Sequence, residues 1–122
     1  MIRPDVLYHG SRVLVPVLEP LEGPINASHD RAIAVPWALG FIPDPRGRTK
    51  WSIQITVDGP RITIEQGALD LTAIGYLYRV PVDGFEQVNP MVWVCREPVT
   101  PIDYEILQTA DFVGWTTTTM TA

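Results

Sequence analysis

The chain is short of sulfur, of imidazole and of positive charge: one cysteine, two histidines, and nine lysines and arginines against fourteen aspartates and glutamates in 122 residues. A single cysteine excludes an intrachain disulfide, and without a Cys/His cluster there is no zinc-site spacing. Two histidines are too few for a metal site unless carboxylates join them, so no metal is expected. Cys95 follows the apolar run Met91 to Val94 and reads as a small buried hydrophobe rather than a nucleophile. A net charge of −5 argues against broad non-specific binding to nucleic acid, which needs a positive face to neutralise phosphates. No run approaches the roughly 20 apolar residues that span a bilayer, and no basic-then-apolar leader opens the chain. The expectation is a cytoplasmic protein without a membrane partner.

What is present suits one compact unit over residues 1–122, with 46% apolar residues to build a core. Turn signals recur at close intervals and the pattern is mostly β. Val6 to His9 reads as a first strand. Pro16, Pro20 and Pro24 then fix φ and remove donors, which predicts an extended loop able to wall a cleft. Ser28 is the expected N-cap of a helix over 29–39, with Asp30 in its first turn and Pro36 bending it. Trp51 to Val57 alternates apolar and polar residues, as does Arg61 to Glu65 after Asp58-Gly59, so the two runs read as a hairpin, with Pro60 disturbing its turn. Residues 66–74 fit either a short helical turn or a loop. Further strands are expected at 76–80, 91–95 and 104–107, and Thr116 to Thr119 as a frayed tail or an edge strand.

Three segments carry candidate chemistry. His9-Gly10-Ser11, at the end of the first strand, sets an imidazole, a flexible backbone and a hydroxyl at one point. The histidine can bond a sugar hydroxyl, and a glycine without Cβ lets a flat ring approach the main chain. Ile25-Asn26-Ala27-Ser28 leads into the helix that carries Trp37, readable as a ring platform or as a core indole. Trp93 to Ile106 holds Glu97, readable also as a solvated loop charge, and Glu105 in the strand-like run that follows. The Pro/Gly-rich stretch 43–50, with Arg46, Arg48 and Lys50, reads either as a solvated connector or as a loop reaching a pyrophosphate.

Together these segments resemble the ADP-ribosyltransferase superfamily, in its diphtheria-toxin-like, poly(ADP-ribose) polymerase-like branch. Leu7-Tyr8-His9-Gly10-Ser11-Arg12 matches the branch's aromatic-His-Gly-Ser/Thr strand. Ile25 to Ser28 resembles its Tyr-Phe-Ala-Ser segment, but with Ile25 where the triad tyrosine stands. Trp93 to Ile106 resembles its late strand pair. The resemblance implies an α+β fold of two small packed antiparallel sheets, a split β-sandwich, with one main helix flanking an NAD-type cleft. It also implies NAD as the substrate, held by Tyr8, His9, Gly10, Ser11, Arg12, Ser28 and Trp37. His9 would take the adenosine-side ribose and Gly10 the nicotinamide carboxamide, while Glu97 would stabilise the oxocarbenium-like transition state, with His9 as its catalytic companion and Glu105 as the competing carboxylate.

The implied activity is transfer of ADP-ribose to a protein, nucleic-acid or small-molecule acceptor with release of nicotinamide, or NAD glycohydrolysis if water is the acceptor. Its implied setting is a bacterial or phage effector or a toxin-like modifier. Ile25 in place of the tyrosine leaves open a lapsed domain that binds a nucleotide or a protein without turnover. The related RNA 2′-phosphotransferases fit less well, because only Arg12 and the 46–50 loop could supply their phosphate-binding cations.

Overall fold

The structure, a computed structural model, describes residues 3–118. In chain order its elements are β1 (Val6–Ser11), β2 (Ile25–Ala27), α1 (Arg31–Ala34) running on as a 3₁₀ turn (Val35–Ala38), β3 (Phe41–Ile42), β4 (Lys50–Thr56), β5 (Gly59–Gln66), β6 (Ala68–Leu69), β7 (Ile74–Pro81), β8 (Glu86–Asn89), β9 (Val92–Cys95), β10 (Asp103–Gln108), a second 3₁₀ segment (Thr109–Trp115) and β11 (Thr116–Thr118). The described chain is mostly β, with short helices and several small sheets. Three sheets have three strands, ordered β1-β7-β10, β2-β9-β8 and β11-β5-β4, and β3 pairs with β6. All pairings are antiparallel except that of β11 with β5. No helix among the described residues is long and apolar enough to cross a membrane.

The β1-β7-β10 sheet carries core on both faces along β1 and β7, whereas β10 is exposed except at Leu107, and the residues follow the two-residue period of a strand. Leu7, Tyr78 and Val80 face one way, into a core completed by Ile25 and Ala27 of β2, Trp93 and Cys95 of β9, and Val82, Phe85 and Val99. Leu77 and Leu107 face the other way, against Ala34, Val35 and Ala38 of the helical segment and Ile62 and Ile64 of β5. Cys95 is buried as the sequence indicated.

The helical segment approaches the sheet so closely that two positions must lack a side chain. A Cβ on Gly10 would lie 2.2 Å from the Ala34 carbonyl oxygen, and one on Gly75 would lie 1.6 Å from that of Ala38. Both glycines are therefore backbone-contact residues. That corrects the expectation that Gly10 is bare for the sake of a ligand: its missing Cβ is filled by the helix.

The helical segment also differs from the expected single helix over 29–39. It is one α turn followed by one 3₁₀ turn, because Pro36 has no N–H to extend the α ladder. Asp30, not Ser28, is its N-cap, accepting from the Ala32 N–H at 3.0 Å, while the Ser28 hydroxyl accepts from the Asp30 N–H one step earlier. The hairpin of β4 and β5 forms as expected, with Pro60 opposite Ile55 beside the turn. Residues 66–74, expected as helical turn or loop, include the short strand β6. The threonine run is an edge strand over 116–118, and Thr119 lies outside the described residues. Neither β8 nor the 3₁₀ segment at 109–115 was expected.

Candidate functional site

The site lies where β1 and β2 part. The two strands meet in one antiparallel bridge, in which Tyr8 N–H donates to the Ser28 carbonyl at 2.7 Å and Ser28 N–H to the Tyr8 carbonyl at 2.9 Å. The next ladder pair in register would join Gly10 to Asn26. Instead, the His9 imidazole donates from Nδ1 to the Asn26 carbonyl at 2.5 Å. A side chain thus takes over the acceptor that the backbone of Gly10 would have used, and the strands diverge beyond it.

That divergence leaves the Gly10 backbone open. Main-chain groups alternate sides along a strand. Since both polar groups of Tyr8 point to Ser28, those of Gly10 point the same way, away from β7. Among the described residues they have no backbone partner there. A cavity of about 90 Å³ occupies this position, with Tyr8, Gly10, Ser28, Trp37 and Val92 in its lining and His9 and Asn26 at its edge toward the next space. Ser28 is only 2% exposed. Trp37 is 53% exposed, with its ring edge-on to Trp51 at 4.9 Å between centroids. It is therefore not the core indole the sequence allowed, and about half of the side chain is open to solvent.

On the other side of His9 and Asn26 is a larger groove of about 690 Å³, walled by the proline-rich segment 13–24 and by Ser11 and Ile25. The buried Tyr78 hydroxyl holds that segment, donating to the Val13 carbonyl at 2.7 Å and accepting from the Val15 N–H at 2.9 Å. Further along, Leu18 bridges to Val99 through two backbone bonds. The loop expected to wall a cleft does so because it is tied at both places.

Burial makes the His9 imidazole harder to protonate, lowering its pKa from 6.5, and the bond to Asn26 offsets part of that effect. With Nδ1–H committed to the Asn26 carbonyl, neutral His9 has Nε2 as an acceptor. Such an atom can accept a hydrogen bond from a sugar hydroxyl.

Tyr8, His9, Gly10, Ser11, Ser28 and Trp37 are thus gathered around two adjoining spaces. Arg12 is not: its guanidinium donates to the Ile74 carbonyl at 2.8 Å, and it is exposed. Glu97 is exposed beyond the end of β9 and lines neither space, as do none of the cations of the 46–50 loop. Arg48 of that loop is paired with Asp44, and Lys50 with Glu65. Glu105 pairs with Arg31 of α1 at a depression that Tyr8 also lines, and Tyr8 lines the cavity as well.

Two residues escaped the sequence reading. Asn26 supplies the carbonyl that fixes His9, and Val92 is the part of β9 that reaches the cavity; only the pairing of distant strands could reveal either. No family model, no curated protein and no solved structure matches the chain.

Proposed function

We propose that the paired spaces bind NAD as an ADP-ribosyltransferase-like module, with the nicotinamide end in the small cavity and the adenosine end in the groove. The observation that carries this reading is the unpaired Gly10 backbone beside the His9 imidazole: an N–H and a C=O side by side match the acceptor and donor of a carboxamide, and Nε2 suits a ribose hydroxyl. Trp37 offers a ring face for stacking. The cavity alone is smaller than the roughly 300–1,000 Å³ usual for ligand sites, whereas cavity and groove together fall in that range.

The reading favoured over turnover is binding. Cleavage of the nicotinamide–ribose bond needs a carboxylate against the developing positive charge, and none lines the cavity, whose β9 wall is Val92. Ile25 in place of an aromatic points the same way. Transfer of ADP-ribose is the second reading, and Glu105 favours it more than Glu97, because Arg31 fixes its carboxylate at a depression that shares Tyr8 with the cavity.

Calorimetric titration with NAD, paired with an assay for released nicotinamide on the same sample, tests both. Binding that His9→Ala removes, without release, is the expected result. Release abolished by Glu105→Gln or Glu97→Gln would establish the transferase instead, and no binding to the folded wild type would overturn the NAD reading.

A further inference from the structure

We infer that this site selects nucleosides against their phosphorylated forms, through Glu19 and Glu22. The inference takes its ligand class from the NAD reading and adds what the site excludes. Phosphate recognition ordinarily relies on Arg or Lys side chains or on a helix N-terminus. Among the described residues neither space has a lysine or arginine in its lining, and the only acidic side chains of the groove are Glu19 and Glu22, both on the loop that forms its wall. The cations nearest in sequence or on the adjoining helix are turned elsewhere: Arg12 to the Ile74 carbonyl and Arg31 to Glu105. The start of α1 is closed by Asp30, whose carboxylate already accepts from its free amide.

A phosphate entering the groove therefore meets two carboxylates and no counter-charge. The rest of the groove is apolar wall, from Val13, Val17, Leu21 and Pro24, around the polar floor of His9, Ser11 and Asn26. That surface suits a base and a ribose. A nucleoside seated in the groove brings no negative charge against the acids, and each added phosphate does. NADP, with a further phosphate on the adenosine ribose, is therefore disfavoured against NAD.

The test is calorimetry at low ionic strength with nicotinamide riboside, NAD, NADP, adenosine and AMP, on the wild type and on the double variant Glu19→Gln/Glu22→Gln. Because both acids are at the solvent edge, the expected discrimination is roughly two- to fivefold, shrinking near physiological salt. NAD should bind more tightly than NADP, and adenosine more tightly than AMP, with both gaps narrowed in the double variant. Equal or tighter binding of the phosphorylated partner, or gaps unchanged in the double variant, would overturn the inference. Should adenosine exceed AMP while no nicotinamide compound binds, the NAD reading falls and the selection stands; no binding of any of the five ligands removes both.

Discussion

The imidazole of His9 and the backbone carbonyl of Asn26 form the bond at which β1 and β2 stop pairing. One side chain there closes the ladder, sets its own tautomer and leaves the Gly10 backbone facing a cavity. Removing the imidazole should act on the site more than on the fold. His9→Ala is expected to weaken NAD binding by about 1–3 kcal/mol, the cost of leaving a buried hydrogen-bonding group without its partner. Calorimetry on a variant whose circular dichroism matches the wild type measures it, and unchanged affinity would remove His9 from the site.

Protonation of His9 should be visible in stability. Its pKa is lowered from 6.5 by burial, so the unfolded chain takes up this proton more readily than the folded one. The stability associated with a neutral His9 is full above about pH 6.5 and is lost as pH falls through the lowered value. Asp44, Asp70 and Asp103 are also held below their ordinary value of 3.8, by hydrogen bonds from Arg48, Thr72 and Arg79 respectively as the largest causes. Their contribution is lost only at more acidic pH, so the windows separate. Thermal melts from about pH 7.5 to about pH 5 should show a steeper decline for the wild type than for His9→Gln; parallel curves would mean that His9 does not titrate on unfolding.

Gly75 and Gly10 bear the helical segment directly. Alanine puts a Cβ 2.2 Å from a backbone carbonyl oxygen at Gly10 and 1.6 Å from one at Gly75, contacts that require the helix to lift off β1 and β7. Each substitution should cost about 3 kcal/mol or more, the upper end of what an overpacked core usually loses. Urea denaturation checks it. Wild-type stability for Gly75→Ala would show that the 3₁₀ turn moves freely on the sheet.

Trp37 separates a ligand platform from a packing residue. Its contact with Trp51 is worth about 0.5–1.5 kcal/mol beyond the area it buries, and about half of the side chain is exposed, so Trp37→Ala should cost less than the roughly 3–5 kcal/mol of a core tryptophan while reducing NAD affinity at least tenfold. A loss of stability without a loss of affinity would make it a packing residue.

The Tyr78 hydroxyl holds the groove wall through Val13 and Val15. Tyr78→Phe keeps the buried ring and strips both bonds, with an expected cost of about 1–3 kcal/mol. Hydrogen exchange should show faster exchange at the Val15 amide, and exchange at the wild-type rate would mean that the Leu18–Val99 bridge alone fixes the loop.

Local chemistry in the sequence was enough for several elements. Strict alternation fixed the β4–β5 hairpin, because a half-buried strand repeats every two residues whatever it packs against. Prolines at 16, 20 and 24 dictated an extended wall, and Pro36 a broken helix, since a ring without an N–H acts the same in any fold. The apolar run before Cys95 marked the thiol as buried. His9-Gly10-Ser11 stood out because imidazole, glycine and hydroxyl rarely serve one purpose side by side.

What the tertiary structure alone decided depends on partners far away in the chain. Gly10 looked bare for a ligand, but Ala34 fills the place of its Cβ, and only its backbone faces the cavity. Glu97 looked placed by its neighbours, yet the end of β9 turns it to solvent, while Val92 is brought into the wall. Arg12 adjoins the motif in sequence and is drawn off by Ile74. Residue types and spacing determine which groups a chain has and which local shape they prefer; whether two of them meet is set by strand register and by the close approach of a helix to a sheet, and those rest on contacts summed over the whole core.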